Sequence, residues 1–107
     1  MGKMSRGLLN ERDRIAAEIA RLEKMGLAEQ NCWLSTSRRK RGDEVKIYWR
    51  LNRKVGKKTE TEYLGTQESE KYQEIKPMID RRNEVTELRS QLHLIEQCLE
   101  RQRNWEG

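Results

Sequence analysis

The sequence contains no phenylalanine, one proline and only two cysteines, and it has no long hydrophobic run. Hydrophobic residues make up 34% and charged residues 38% of the 107 positions, so a compact core of ordinary size is hard to build. Long helices that bury a narrow stripe fit this composition, and self-association would add buried surface. Cys32 and Cys98 are far apart and belong to no C-x-x-C motif, which indicates free thiols in a reducing cytoplasm. No apolar run approaches the roughly 20 residues needed to span a bilayer, so we expect no membrane association.

Catalytic and metal-binding constellations are also missing. The one histidine, His93, lies between two leucines of a predicted helix, where a structural role is commoner than a catalytic one. It is five residues from Cys98, a spacing that does not place the two on one helical face. A zinc site built from these two residues and Cys32 would still lack a fourth ligand. We predict that the protein is not an enzyme and binds no metal or cofactor.

Positive charge is concentrated in one segment of the chain. Residues 38–58 contain ten Lys or Arg and two acidic residues, whereas the remainder has 13 basic and 16 acidic residues. A solvated loop usually mixes both signs, so this segregation favours a surface that binds a polyanion. The candidate contacts are the cations of this segment and one tyrosine: Arg38, Arg39, Lys40, Arg41, Lys46, Tyr48, Arg50, Arg53, Lys54, Lys57 and Lys58.

A stretch with helical periodicity lies on each side of the basic segment. In residues 5–29 the apolar positions Leu8, Ile15, Ile19 and Leu22 follow the spacing of a coiled-coil seam. In residues 77–104 the same spacing is found at five positions: Val85, Leu88, Leu92, Ile95 and Leu99. The matched lengths and seams predict two long helices that pair antiparallel.

Pro77 interrupts the second helical stretch. Proline lacks a backbone donor and disfavours helix at the residue before it. We therefore predict a short helix over residues 67–75, capped by Thr66, and a long helix over 77–104 that is separate or joined by a kink.

Residues 32–65 read as a β module. Val45, Ile47, Trp49 and Leu51 alternate with polar residues, which predicts a strand with one packed face and one open face. The open face carries three residues of the candidate site: Lys46, Tyr48 and Arg50. Flanking strands are expected at 32–37 and 59–64, with the intervening cations in loops and Gly56 in the second turn.

These elements predict an α+β fold. Its architecture would be an antiparallel two-helix coiled-coil hairpin with an inserted three-stranded antiparallel sheet at one end, in a single domain over residues 1–107.

The run "VKIYWRLNRKVGKKTETEYLGTQESEKYQEI" resembles the three-stranded sheet plus helix at the N-terminus of tyrosine recombinases, their arm-type DNA-binding domain. It is also similar to small prokaryotic domains of unknown function that end in Tyr-Leu-Gly. The resemblance covers residues 32–76. It implies DNA binding through the sheet, with contacts from Lys46, Tyr48 and Arg50. Because the chain lacks a recombinase catalytic domain, the resemblance implies binding and no integration chemistry.

Together these features predict a nucleic-acid-binding protein that acts as a regulator or architectural accessory factor. Duplex DNA is favoured, and RNA is the nearest variant, because a basic patch alone does not distinguish the two. The helices would make it a homo-oligomer. The alternative is a coiled-coil adaptor or structural protein whose basic head binds an acidic protein partner.

Overall fold

A computed structural model describes the backbone of residues 2–106 and the side chains of residues 6–104. The elements in chain order are α1 (Gly2–Met25), β1 (Cys32–Arg41), β2 (Glu44–Val55), β3 (Lys58–Gly65) and α2 (Glu70–Glu106). The fold is α+β, with the predicted antiparallel three-stranded sheet in the order β1-β2-β3. The chain forms two compact units: a helical unit of α1 and the part of α2 from Asn83 onward, and a sheet unit from Leu27 to Arg82.

The helical unit has a narrow apolar core. Four of the predicted seam residues are its buried members, and Ile15 and Val85 are each only 1% exposed. The other two are Ile19 and Leu22. The remaining seam positions of α2, from Leu88 to Leu99, are half-buried. Burial is therefore confined to one stripe of each helix, as the low hydrophobic content requires.

The two helices of this unit run antiparallel. An Arg89 Nη atom donates a hydrogen bond to a carboxylate oxygen of Glu23 at 3.2 Å, near the C-terminal end of α1. Toward the other end of the unit, Leu9 and Leu99 line one groove. The opposite order of these contacts along the two helices establishes the antiparallel arrangement, while coiled-coil packing stays a prediction.

Exposed ion pairs follow the outer surface of α1. Arg14 bonds Glu11 and Arg21 bonds Glu18, each three residues earlier in the helix. The hydrogen bond from the arginine lowers the pKa of each glutamate. Because all four side chains are solvated, such pairs contribute little to stability.

The first helix ends at Met25, four residues before the predicted end at residue 29. Gly26 has a φ of +99°, a left-handed conformation that glycine adopts without the steric cost of a Cβ atom. Its N–H donates to the Glu23 carbonyl at 3.2 Å and closes the last turn. The glycine therefore ends the helix at once, although the next three residues, Leu27 to Glu29, are compatible with a helix.

The prediction of two separate helices on either side of Pro77 is wrong, because α2 is continuous from Glu70 through Pro77, while a kink at the proline stays a prediction. Tyr72, Ile75 and Ile79, on both sides of the proline, pack on the sheet core, so burial offsets the missing hydrogen bond. The predicted cap at Thr66 and start at residue 67 are also wrong. Ser69 is the cap, since its Oγ accepts a hydrogen bond from the Tyr72 N–H at 3.2 Å.

Two-residue turns connect the three strands. Gly42 and Gly56 occupy the first turn positions with φ values of +60° and +62°, and the residues that follow them have no positive φ. This conformation matches a type II′ turn, whose twist suits a hairpin. Because the turns are so short, the strands are longer than predicted, and β2 alone extends over Glu44–Val55.

The core of the sheet unit lies between the sheet and the first part of α2. Its buried members are Cys32, Leu51, Leu64 and Ile79. The Trp49 ring packs 4.8 Å from the Tyr72 ring, centroid to centroid, which confirms that this tryptophan belongs to the packed face. A register shift in the β2–β3 pairing leaves Leu64 without a partner strand residue and lets it join the core.

A buried arginine ties α2 to the start of β1. Arg82 is 8% exposed, and one of its Nη atoms donates to the carbonyl oxygens of Glu29 at 2.6 Å and Cys32 at 2.5 Å. The Ala28 N–H donates to the Met78 carbonyl at 3.1 Å in the same region. These bonds hold the segment before β1 against the helix.

Candidate nucleic-acid interface

The β1–β2 hairpin extends beyond the third strand. β2 pairs with β1 along residues 44–53, but it pairs with β3 only from Trp49 onward. Residues 37–48 therefore form a two-stranded ribbon, in which Ser37 faces Tyr48 and Arg41 faces Glu44. Five residue pairs at about 3.4 Å per residue give the ribbon a length of about 17 Å.

The ribbon carries five cations, of which the predicted loop residues 38–41 supply four. Directly opposed residues of paired strands share a face, and neighbouring residues point to opposite faces. One side of the sheet carries Trp49 and Leu51 and faces α2; the other side is called the open face here. The register places Arg39, Arg41 and Lys46 on the open face and Arg38 and Lys40 on the helix-facing side.

None of the five ribbon cations forms an ion pair with any residue that the structure describes. All five side chains are exposed. The two carboxylates near the tip, Asp43 and Glu44, form no ion pair with these cations, so their oxygens lie more than 4.0 Å from the cation nitrogens. The ribbon therefore presents a net charge of +3 that no described carboxylate neutralises at close range.

The other cations of the candidate site differ in ion pairing and in the face of the sheet that they occupy. Arg53 donates to a Glu29 carboxylate oxygen at 3.0 Å, so its charge is neutralised within the sheet unit. Lys54 lies on the open face and Lys58 on the opposite side, while Lys57 belongs to the second turn. The structure thus gathers about half of the predicted site residues on one surface and separates the rest from it.

The open face carries aromatic rings beside the guanidinium groups of Arg39 and Arg50. The Tyr48 and Tyr63 rings lie 6.0 Å apart at an interplanar angle of 32°, and the Arg39 guanidinium lies 5.3 Å from the Tyr48 centroid. Arg50 lies between Ser35 and Tyr63 in direct cross-strand register, is exposed, and has no ion pair among the described residues. Trp33 occupies the β1 side of this face and is 43% exposed.

A hydrogen-bonded row crosses all three strands beneath these side chains. Asn52, only 8% exposed, donates to the Ser35 hydroxyl at 2.8 Å and accepts from the Thr61 hydroxyl at 2.9 Å. Sequence reasoning missed this row because the predicted middle strand ends at Leu51, one residue before Asn52. The row fixes the open face before any ligand arrives.

The prediction that Val45 and Ile47 pack against a helix is wrong. They are 56% and 45% exposed, because they belong to the ribbon and lie beyond the last residues that pair with β3. Together with Trp49 they line an open cleft whose other wall is the segment from Thr66 to Glu68.

Comparison with family models, with curated proteins and with solved structures gives no match to this chain. Within the described residues there is no cluster of His, Cys, Asp or Glu that could hold a metal ion. Nor does any described helix have the length and apolarity needed to cross a membrane.

Proposed function

We propose that this protein binds duplex DNA through the ribbon and the Arg50 side chain at its root, as a regulator or architectural accessory factor. The observation that carries the proposal is the set of five exposed ribbon cations that form no ion pair with a described carboxylate. Among the described residues, the Arg53–Glu29 pair alone uses a cation from residues 38–58. Cations held apart from carboxylates are available to phosphates.

The shape of the ribbon supports duplex DNA as the ligand. A B-DNA major groove is about 12 Å wide and admits a two-stranded ribbon. With the ribbon in the groove, Arg39, Arg41 and Lys46 would meet phosphates and base edges. Arg50 and Tyr48 at the root of the ribbon would reach the groove edge, and Arg50 could pair with guanine. The resemblance of residues 32–76 to arm-type domains agrees with this mode of binding. The free thiols of Cys32 and Cys98 fit a reducing cytoplasm.

A salt titration tests the proposal. Five cations that each neutralise a phosphate should give a slope of log K against log salt of roughly −4 to −5 on duplex DNA. Fluorescence anisotropy with a labelled duplex at about 50 to 200 mM salt measures this slope. Absence of binding at the lowest salt concentration would refute the proposal.

We further propose that the helical unit joins two copies of the chain. Leu94 is 61% exposed and Leu9 is 39% exposed, and the seam from Leu88 to Leu99 is only half-buried. Pairing two copies would cover these apolar side chains. A dimer would also present two ribbons to one DNA molecule.

The dimer is tested by replacing Leu94 with glutamate. Because Leu94 is exposed in the single chain, we expect Leu94→Glu to dissociate the dimer at micromolar concentration without loss of helical content. Gln30→Glu adds the same charge at an exposed position outside the helical unit and serves as the control. Sedimentation that shows the parent as a monomer at every concentration would refute the dimer.

A protein partner is the second candidate, and one observation favours it. The exposed Val45 and Ile47 side chains lie beside Arg38 and Lys40 on the helix-facing side of the ribbon. An acidic segment with apolar side chains would match this surface. If the parent protein fails to bind DNA at any salt concentration, the adaptor function takes the place of DNA binding.

A further inference from the structure

Aromatic side chains are unevenly placed in the sheet unit. The chain has only six aromatic residues, and a core of this size would gain from burying all that it can. Trp49 and Tyr72 do pack together on the helix-facing side. Trp33, Tyr48 and Tyr63 instead lie on the open face, where Trp33 is 43% and Tyr63 is 55% exposed.

Stabilisation of the sheet accounts for only part of this arrangement. Tyr48 and Tyr63 are diagonal neighbours on adjacent strands, and such a pair stabilises a sheet modestly. Trp33 has no ring partner among the described residues, yet it exposes a large apolar surface. Three aromatic side chains on one face of the sheet, with Trp33 and Tyr63 exposed, exceed what sheet pairing requires and indicate a ligand-binding surface.

The three rings surround the Arg50 guanidinium, which has no ion-pair partner in the part of the chain that the structure describes. Arg50 pairs in register with Ser35 on β1 and with Tyr63 on β3. Tyr48 precedes Arg50 by two residues and lies on the same face of β2. Adjacent strands are about 4.8 Å apart, so Trp33 on β1 and Tyr63 on β3 are separated by roughly 10 Å across the sheet. This area suits two or three bases, with the guanidinium available to the phosphates between them.

The faces of bases are accessible only when the bases are unpaired. Inside a duplex each base is stacked on its neighbours and offers only its edge to the grooves. Aromatic rings on a sheet gain most from ligands that expose a π-face, which is a property of single strands. The Ser35–Asn52–Thr61 row holds the platform in place and lowers the entropic cost of binding.

We infer that Trp33, Tyr48 and Tyr63 form a stacking platform for unpaired bases, and that the ligand is DNA in which a duplex adjoins a single strand. The inference rests on the proposed function, because the ribbon at the edge of the platform holds the duplex part. The platform begins where the ribbon joins β3, so both parts of such a ligand meet adjoining surfaces.

Matched DNA ligands test the inference. The parent protein is titrated with a blunt duplex of about 20 base pairs and with the same duplex carrying a thymidine overhang of about five nucleotides. We expect the overhang to tighten binding about tenfold. A uridine overhang on the same duplex tests whether the platform prefers a DNA or an RNA strand. A tenfold gain in affinity from either overhang supports the platform.

Variants separate stacking from sheet stability. Trp33→Thr and Tyr63→Thr keep residues that favour strands but remove the rings, so each should abolish most of the overhang gain and leave binding of the blunt duplex unchanged within about twofold. Tyr63→Phe keeps the ring and should retain the gain. Thermal unfolding followed by circular dichroism verifies that all three variants remain folded.

The outcomes distinguish the two proposals. If the parent binds blunt and overhang duplexes equally, or if the threonine variants keep the gain, the platform is refuted while duplex binding stands. If the blunt duplex is not bound but a thymidine strand binds and loses affinity in Tyr63→Thr, the duplex function fails and the platform stands. If the parent protein binds none of these ligands, both the duplex function and the platform are refuted.

Discussion

Replacement of Arg38, Arg39, Lys40 and Arg41 by alanine is expected to weaken duplex DNA binding by about 100-fold or more near 50 mM salt. These residues supply four of the five exposed ribbon cations, and none is held by a described carboxylate. Their loss leaves Lys46 as the last cation of the ribbon, so the slope of log K against log salt should fall to roughly −1 to −2. Anisotropy titrations over a salt series measure both quantities.

The control for this experiment removes the same charge from the helical unit. Arg12, Arg14, Arg21 and Arg89 each bond a nearby carboxylate, and their side chains are 41% to 64% exposed. Substituting these four by alanine lowers the net charge from +5 to +1, as in the ribbon variant. We expect this control to bind DNA nearly as the parent does. Equal losses in both variants would mean that net charge, and not the ribbon, governs binding.

The second large effect is expected at Arg82. In Arg82→Met the buried Cys32 carbonyl oxygen loses its guanidinium donor, the Glu29 carbonyl oxygen retains the weaker Cys32 thiol as a donor, and the methionine fills much of the space. Losing these two charge-assisted hydrogen bonds, at about 1 to 3 kcal/mol each, predicts a loss of roughly 2 to 6 kcal/mol in the free energy of unfolding. Chemical denaturation followed by tryptophan fluorescence measures this loss, because Trp49 reports on the sheet unit.

Arg89→Met is the matched control on the same helix. Its guanidinium forms an exposed ion pair with Glu23, so the substitution should cost less than about 1 kcal/mol. A loss of stability in Arg82→Met no larger than that of Arg89→Met would contradict the structural role of Arg82.

Arg82 also illustrates what the sequence does not reveal. It is one of 23 basic residues, and helical periodicity does not mark it, because its burial depends on where the segment before β1 crosses α2. The continuity of α2 through Pro77 was hidden for a similar reason. Burial of Tyr72 and Ile79 on the sheet outweighs a local preference that the sequence displays clearly.

Sequence patterns gave correct predictions where the burial of a side chain follows directly from its spacing along the chain. The alternation in β2 correctly assigned Trp49 and Leu51 to one face, and the seam spacing correctly identified Ile15 and Val85 as core residues. The same alternation failed for Val45 and Ile47, since the sequence contains no sign that β3 ends short of them. An apolar side chain is buried only if another element reaches it.

The candidate site was predictable in composition but not in arrangement. The clustering of cations in residues 38–58 is visible in the sequence alone. Their division between two faces depends on strand register, which the two-residue turns at Gly42 and Gly56 determine. Arg53 was included because of its charge, although its ion pair with Glu29 was not foreseeable.

The ribbon can change length without disturbing the core, because β3 pairs with neither of its strands beyond Trp49. Inserting one residue into each strand would lengthen it by about 3.4 Å, close to the rise of one base pair, but would exchange the faces of every residue nearer the tip. Inserting two residues into each strand would lengthen it by about 7 Å and restore the original phase. Homologues with this fold should therefore differ in ribbon length by even numbers of residues per strand, and their DNA footprints should change in steps of about two base pairs.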